Sequence, residues 1–318
     1  TDASSKASVR LSILVVSRTA ARLSAMLESL ATATNLPNSE VEILCSWNGT
    51  PASEANIVNR SGYEFLVAQR DPYHFASNIN QLAQNANGDV LAIVNDDLIL
   101  DQGSLDAGLS CLSNDISTLC VGALLRTPSG HLQHGGMAFD SQNTPYHIAE
   151  GCKNMTTTLK GLAPFEVPCV TGALILIRRS TFRKQPFEES YQRCGEDVQL
   201  NLDLREKLKG KVMLCPGMSG IHIESATRSE NNETGNTSED LVKMRTRRRL
   251  FLEKASPEML KAELLMAGKE HTWTQGEASL NANHKSLRQE RDYWKRETQT
   301  LQLELLRMKD LIQRHEEV

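Results

Sequence analysis

The sequence contains no apolar run long enough to cross a bilayer, and residues 1–10 lack the apolar core of a signal peptide. Its seven cysteines are scattered and never take the C-x-x-C spacing of zinc and redox motifs. The formal net charge of −4 gives no basic field for binding nucleic acid. From these absences we expect a cytoplasmic protein with reduced thiols, no zinc and no nucleic-acid partner.

Segments with strand-like and helix-like patterns alternate along the chain. Residues 9–17 and 41–45 are apolar runs of strand length, and residues 19–34 between them carry apolar side chains on one helical face. Further strands are expected at residues 63–68, 90–95, 117–126, 167–178 and 211–215, and further helices at residues 76–87, 104–113 and 196–208. The alternation predicts parallel βαβ units and an α/β fold with a mostly parallel sheet flanked by helices. The first βα turn lacks G-x-G-x-x-G, which disfavours a dinucleotide-binding site.

In two stretches the apolar residues show no clear helical or strand periodicity. Residues 127–168 are rich in Gly, His, Pro and Thr, which predicts long loops with short strands. Residues 225–240 contain almost nothing to bury and predict a mobile loop or linker.

Within residues 88–100, an apolar run of strand length ends at the polar triplet Asn95-Asp96-Asp97, after which apolar residues resume. Open α/β sheets bind their ligands beyond the carboxyl ends of such strands. Adjacent carboxylates repel each other unless a cation offsets their charge, and Mg²⁺ is typically held by one or two carboxylates together with substrate phosphates. The triplet therefore indicates either a cation site or a turn whose Asn and Asp side chains cap the next element.

Two more polar groups stand at the ends of predicted elements. Glu196 and Asp197 follow a glycine at a helix start, where acidic side chains also serve as simple partners of the helix dipole. His222 lies between two apolar residues after a strand, a setting in which a structural histidine is common. Each group alone has both a structural and a functional interpretation.

The order of these segments, strand–NDD, T-G-A-x-x-x-x-R-R, G-E-D and then a strand and His, resembles that of family 2 glycosyltransferases with the GT-A fold. The resemblance covers roughly residues 9–250. It implies that Asp97 coordinates a divalent metal, Mn²⁺ or Mg²⁺, on the diphosphate of a nucleotide sugar. Asn95 and Asp96 would lie near the ribose and the diphosphate, and His222 would complete the metal or diphosphate site.

The resemblance also implies roles for residues outside the triplet. The Glu196-Asp197 pair matches the family's acidic pair, in which the Asp is the general base. Gly172 belongs to the segment that lies before the base on the sugar or acceptor side. Arg70 and Asn78 match the basic residue and the helix start that approach the nucleotide and diphosphate.

The stretch after the second strand departs from the family pattern. Relatives carry V-D-N-G-S or V-D-D-G-S there, and the first Asp helps to read the nucleobase, whereas this chain has Ser-Trp-Asn-Gly-Thr. Trp47 and Asn48 are therefore expected at the donor, and a Trp ring can stack on a base but cannot accept its imino proton. Ser17 and Arg18 follow the first strand and are also expected to serve the nucleotide.

The implied activity is inverting, metal-dependent transfer of a sugar such as a hexose or rhamnose. The donor would be a UDP, dTDP or GDP sugar, and the acceptor a hydroxyl of a bacterial surface polysaccharide or a lipid-linked glycan. One alternative is a non-catalytic glycosyltransferase-like scaffold, which Trp47 favours. Another is a nucleotidyltransferase, but the turn after the first strand lacks the glycines of its basic loop.

The C-terminal tail repeats apolar residues every seven positions from Leu280 to Met308. This pattern predicts a coiled coil at residues 280–318 and hence a homo-oligomer or a junction with further modules, the alternative being one amphipathic helix packed on the domain. The remaining chain divides into a disordered segment at residues 1–8, a GT-A domain at residues 9–255 and a linker or helical segment at residues 256–279.

A basic stretch, Lys243 to Arg249, precedes three apolar residues. It has three interpretations: a solvated helix face, a surface in contact with the inner face of an anionic membrane that carries a lipid-linked acceptor, and a clamp for the diphosphate.

Overall fold

A computed structural model describes residues 10–153, 159–223 and 237–271, with the side chains at 237 and 238 excepted. Contacts divide the chain after Glu270, and nearly all described residues belong to the first unit. The predicted coiled coil at residues 280–318 and the predicted disordered segment at residues 1–8 lie outside the described residues. No helix in the described ranges combines the length and apolar character needed to cross a membrane.

Strands and helices alternate along the first half of the chain as predicted. The strands are β1 (Leu11–Ser17), β2 (Val41–Trp47), β3 (Glu64–Gln69), β4 (Val90–Asn95), β5 (Leu98–Leu100), β6 (Thr118–Arg126), β7 (Leu132–His134), β8 (Met137–Phe139), β9 (Pro145–His147), β10 (Phe165–Glu166), β11 (Leu174–Arg178) and β12 (Lys211–His222). The helices are α1 (Ala20–Ala33), α2 (Pro51–Glu54), α3 (Phe75–Asn85), α4 (Ser104–Asn114), α5 (Arg179–Lys184), α6 (Glu196–Lys207), α7 (Thr237–Lys254) and α8 (residues 257–271).

One mixed sheet organises the domain. Its strands lie in the order β10-β12-β6-β11-β4-β1-β2-β3, with β5 beside β12 and β7 beside β6. Strands β3, β2, β1 and β4 are mutually parallel, β6 and β12 pair in parallel, and β11 runs against both of its neighbours. Strands β1 and β2 are buried along their whole length. The expected α/β fold with a mostly parallel sheet is confirmed.

Strand register brings the predicted polar residues to one edge of the sheet. Val16 of β1 is opposite Asn95 of β4, so Ser17 lies beside the residue that follows Asn95. His222 at the end of β12 is opposite Leu98 at the start of β5. Because Leu98 directly follows the acidic triplet, this pairing brings His222 to the triplet although the two are far apart in sequence.

Three predicted boundaries were wrong. The strand expected at residues 167–178 forms only at Leu174–Arg178, because the N–H groups of Thr171 and Gly172 bind the side chains of His134 and Asp197. The strand expected to stop at Cys215 continues as β12 through a bulge between Cys215 and Ser219. The linker predicted at residues 225–240 overlaps the start of α7 at Thr237.

The basic stretch lies on α7, and two of its arginines bind other helices of this domain. Arg247 pairs with Asp203 and Glu206 of α6, both at 2.6 Å. Arg248 is 4% exposed and pairs with Glu263 of α8. The solvated-face, membrane-contact and diphosphate-clamp interpretations are therefore wrong for these two arginines, because ion pairs between helices already use them.

Candidate functional site

Ser17 and Asp96 join the ends of β1 and β4. The Ser17 hydroxyl donates a 2.6 Å hydrogen bond to Oδ2 of Asp96. Burial, reinforced by the neighbouring charge of Asp97, raises the pKa of Asp96 to about 6, although the Ser17 hydrogen bond and the Arg22 and Arg18 guanidinium groups act against this rise. A cation near a carboxyl group with this pKa would favour its charged form, and a ligand hydroxyl could donate a hydrogen bond to it.

Asp97 faces His222, but one of the Asp97 carboxylate oxygens has no hydrogen-bond partner among the described residues. Nε2 of His222 lies 3.1 Å from Oδ1 of Asp97, yet that oxygen is buried and has no hydrogen-bond partner among the described residues. Nδ1 of His222 lies 2.8 Å from Oε1 of Gln133, and an amide oxygen can only accept, so Nδ1 carries a proton. In a neutral His222, Nε2 therefore carries a lone pair, with Nδ2 of Asn95 at 3.5 Å and Oδ1 of Asp97 at 3.1 Å.

This arrangement fits a divalent cation. An imidazole nitrogen and a carboxylate oxygen that face each other without a shared proton are the ligand types of Mn²⁺ and related ions, and a hydrogen bond that fixes the imidazole tautomer is typical of metal-bound histidine. No group of three or more His, Cys, Asp or Glu side chains in the described ranges could hold a metal ion. Asp97 and His222 would thus need further oxygen ligands, such as those of a diphosphate.

Asp197 lies in the first turn of α6 and is held by two backbone N–H groups. Gly172 N–H donates to Oδ2 at 2.9 Å, and Val198 N–H donates to Oδ1 at 2.7 Å. A Cβ placed on Gly172 would lie 3.4 Å from Cβ of Asp197 and 3.8 Å from the ring of Phe75. Gly172 therefore lies between the Asp197 carboxylate and Phe75, which lines the neighbouring cleft.

The ends of β1 and β4 and the start of α3 form one cleft, called the donor cleft below. It is lined by Val16, Ser17, Arg18, Arg22, Tyr73, Phe75, Asn95, Asp96 and Asp97. Tyr73 is 53% exposed, and desolvation of its hydroxyl together with the charges of Glu196 and Asp96 raises its pKa. Gly172, which lies against both Phe75 of the cleft and Asp197 of α6, joins the donor cleft to the start of α6.

Trp47 departs from its expected place at the donor. Its side chain is 1% exposed, and Nε1 donates to the carbonyl oxygen of Thr50. The indole occupies the space that a Cβ on Gly49 would need, only 2.5 Å from Cζ2. The prediction of direct base stacking by Trp47 is corrected, because the ring is part of the core. Asn48 stays beside β1 through a 2.7 Å N–H bond to the carbonyl oxygen of Ser17.

The side chains of Arg70 and Asn78 bind other groups of the protein. Both ends of the Arg70 guanidinium bind Glu54, at 2.8 and 2.5 Å. Asn78 is 1% exposed, and its Oδ1 accepts from the backbone N–H of His74. Neither side chain lines the donor cleft. Asn78 shapes the loop that carries Tyr73, so its expected approach to the nucleotide is corrected, whereas that of Arg70, ion-paired but 58% exposed, stays a prediction.

Sequence reasoning missed Tyr73, Gln133 and His134. His134 is buried, and its Nε2 accepts a 3.3 Å bond from the N–H of Thr171, next to the Gly172 that binds Asp197. Burial, together with the charges of His147 and His222, holds the pKa of His134 well below its ordinary value. In the sequence, the only indication of Tyr73 is that an aromatic residue stands in the loop before α3. The apolar residues around Gln133 and His134 show no helical or strand periodicity, so the sequence gives no indication of either residue.

Comparisons with known proteins support the fold. No protein-family model matches the chain. The O-antigen biosynthesis protein RfbC of Myxococcus xanthus is 26% identical over 225 residues, which are 65% of this chain and 16% of RfbC. The chain therefore spans only a small part of that relative.

Solved structures are similar at low identity. The structure of GalNAc-T7 with UDP, GalNAc and Mn²⁺ gives a TM-score of 0.57 at 15% identity, over 75% of this chain and 48% of that one. A mannosyltransferase, PcManGT from Pyrobaculum calidifontis with GDP-Man and Mn²⁺, gives 0.56 at 12% identity, over 85% and 73%. TarS of S. aureus gives 0.53 at 12% identity, over 81% and 71%. The resemblance indicated by the motifs is confirmed in the fold, and this chain has the GT-A fold of the glycosyltransferases.

Proposed function

We infer that the chain is a metal-dependent glycosyltransferase domain that moves a sugar from a nucleotide-diphosphate donor to an acceptor hydroxyl with inversion. The observation that carries this proposal is the contact between His222 and Asp97, which lines the donor cleft. In this contact the buried Oδ1 of Asp97 has no hydrogen-bond partner among the described residues. A buried carboxylate oxygen and an imidazole nitrogen 3.1 Å apart are joined either by a proton on Nε2 or by a cation, and the neighbouring carboxylate of Asp96 favours the cation. The Asp197 carboxylate binds Gly172, and the next residue, Ala173, accepts from the N–H of Asn95 at the end of β4.

Asp97 and His222 would hold the cation. When bound, a divalent ion supplies Lewis-acid stabilisation of the diphosphate as it departs. Gln133 keeps His222 in the tautomer that can bind it. Ser17 orients Asp96 at the cleft, where its carboxyl group can accept a ribose hydroxyl, and Arg18 and Arg22 bring positive charge to the same cleft.

Asp197 would act as the general base. Its two oxygens each accept one backbone N–H, which fixes the carboxylate and leaves a further lone pair on each oxygen for the acceptor. As the acceptor oxygen bonds to the anomeric carbon and the bond to the diphosphate oxygen breaks, Asp197 takes the hydroxyl proton. Glu196 contributes negative charge at the start of α6 beside it.

The relatives suggest the substrate class. RfbC is named for O-antigen biosynthesis, and similar folds were solved with UDP or with GDP-Man. We therefore propose a UDP, dTDP or GDP sugar as donor and a surface-polysaccharide hydroxyl, free or lipid-linked, as acceptor. A homo-oligomer through residues 280–318, contact with the inner face of a membrane and a cytoplasmic location remain predictions.

Thermal unfolding with Mn²⁺ and a panel of UDP, dTDP, GDP and CMP tests the donor site. A ligand at a hundredfold excess over its Kd stabilises the folded state by about 2.7 kcal/mol, so one nucleotide should raise Tm clearly and only with metal. Asp97→Ala should abolish the shift. Asp115→Ala, which removes a half-exposed carboxylate paired with Lys211, is the matched control and should keep it.

Turnover tests the reaction. Each donor sugar is incubated with the protein, release of the nucleotide diphosphate is followed, and proton NMR identifies the first sugar anomer formed with water as acceptor. An inverted anomer supports the proposal. A retained anomer contradicts inversion, and absence of both nucleotide binding and release would favour the scaffold alternative.

A further inference from the structure

Helix α7 approaches the site from outside the sheet, and it contacts the loop directly before Glu196 and Asp197. This contact does not involve the donor cleft or the cation site. It combines a buried carboxylate on α7 with a glycine turn at the start of α6.

Asp240 provides the carboxylate. It is 0% exposed, and its Oδ2 accepts from the N–H groups of Arg193 at 2.8 Å, Gln192 at 3.2 Å and Cys194 at 3.3 Å. Nζ of Lys243, one turn along α7, lies 3.9 Å from Oδ1 and also donates to the carbonyl oxygen of Ser190. A buried carboxylate thus binds successive backbone N–H groups, and this interaction fixes the path of the loop.

Gly195 ends that loop in a left-handed conformation, with φ of +114°. A Cβ there would lie 2.8 Å from Cγ of Met244 and 2.7 Å from Cε1 of Tyr191. Met244 is on α7 beside Asp240, so one helix packs on the turn with a methionine and binds the loop with a carboxylate. The backbone of Gly195 can therefore adopt few other conformations.

The direction of α6 follows from this turn. Helix α6 begins at Glu196, and the N–H of Gln199 closes its first turn on the carbonyl oxygen of Gly195. The hydrogen bonds of Asp197 to Gly172 and Val198 hold its carboxylate on the other side. Asp197 is thus positioned between the β11 side of the sheet and the loop that Asp240 binds.

We propose that Asp240 is a positioning residue for transfer: it sets the Gly195 turn and thereby the reach of the Asp197 carboxylate to the acceptor. Asp240 touches neither substrate nor cation and acts only through the backbone of the loop. This inference rests on the proposed function, because it assigns Asp240 to the base of that reaction.

Asp240→Asn tests the inference in the full chain. An Asn side chain has one acceptor oxygen, and its NH₂ group would face backbone donors. We expect kcat for nucleotide-diphosphate release to fall by roughly ten- to a hundredfold, which is the loss typical of a misplaced catalytic group. KM for the donor should stay unchanged. Hydrogen exchange should speed up at the amides of Gln192, Arg193 and Cys194.

Asp203→Asn is the matched control. Asp203 is also buried between α6 and α7, where Arg247 and Lys207 pair with it, but it does not touch the loop before Gly195. It should lower Tm as much as Asp240→Asn while kcat and the exchange of the loop amides stay near wild type.

Two results would overturn the inference: Asp240→Asn with wild-type kcat per folded molecule, or Asp203→Asn with the same loss of kcat. Either result leaves donor binding by the wild type, and so the proposed function, intact. A wild-type chain that neither binds nor turns over any donor overturns both, even if the loop amides respond.

Discussion

Gly172 N–H donates a 2.9 Å hydrogen bond to Oδ2 of Asp197, so the segment that leads into β11 fixes a side chain in the first turn of α6. Asp197→Asn keeps the shape of the side chain, gives up one of its two backbone hydrogen bonds and cannot take a proton. We expect it to fold and to bind the donor nucleotide, while transfer falls by roughly 10²–10⁴-fold, the usual range for loss of a general base. Steady-state kinetics beside a nucleotide titration separates the two effects.

The matched control for Asp197→Asn is Glu196→Gln, the neighbouring carboxyl group on α6. If Asp197 is the base, Glu196→Gln should lower transfer much less. Retained transfer in Asp197→Asn, or an equal loss in both variants, would contradict the assignment.

Gln133 fixes the tautomer of His222, and its removal should weaken cation binding. In Gln133→Leu, Nδ1 of His222 loses its partner at 2.8 Å, so Nε2 is no longer held ready to bind. Loss of such a hydrogen bond typically costs 10–100-fold in metal affinity, so we expect roughly that loss for Mn²⁺. Calorimetric titration with Mn²⁺ in the presence of the nucleotide measures it.

Gln142→Leu is the control for the cation experiment. Gln142 is an exposed glutamine in the loop between β8 and β9, where it accepts only a long bond from Arg245. Its variant should bind Mn²⁺ as the wild type does. Unchanged Mn²⁺ affinity in Gln133→Leu would show that His222 is not a ligand or that another group sets its tautomer.

Asp96 should make stability depend on pH in the mildly acidic range. Burial raises its pKa in the folded state from 3.8 to about 6, so the folded protein keeps this proton to a higher pH than the unfolded chain. The stability that the protonated group contributes is fully present below pH 3.8 and is lost as pH rises through 6. One pKa unit corresponds to about 1.4 kcal/mol, so the loss is at most about 3 kcal/mol.

Two measurements test this pH dependence. The carboxyl-carbon NMR signal of Asp96 should titrate near pH 6. Denaturant unfolding should show that Asp96→Asn gains stability relative to wild type as pH rises from 5 to 7, because the variant has no proton to lose. A titration midpoint near the ordinary value of an Asp would refute the raised pKa.

The polar ends of β1 and β4 could be read from the sequence because a buried strand is an apolar run, and its last residues stand out when they become polar. The position of His222 beside Asp97 was inferred from the family resemblance, since β12 reaches β5 only by long-range pairing. Gln133 could not be found in this way. It lies in an irregular region, and its place depends on the pairing of β7 with β6.

Trp47 shows the opposite error, in which a motif position suggested a ligand contact. The decisive feature is Gly49, which follows Trp47 by two residues and has no Cβ, so the space beside its Cα is open. The Trp47 indole fills that space and is buried, so packing volume overrode the analogy with the Asp found at this position in relatives. Sequence patterns give the side of the sheet on which a residue lies but not the local volume available to it.

Glu263 of α8 connects the basic stretch of α7 to the core, so the stability of this part of the domain should depend on it. Its carboxylate binds Arg205 of α6 and Arg248 of α7, which are 2% and 4% exposed. Removal of the charge in Glu263→Gln leaves two buried guanidinium groups without an anion, and breaking such pairs costs about 3–5 kcal/mol. Glu253→Gln, at an exposed position on α7, is the control and should change unfolding free energy by less than about 0.5 kcal/mol.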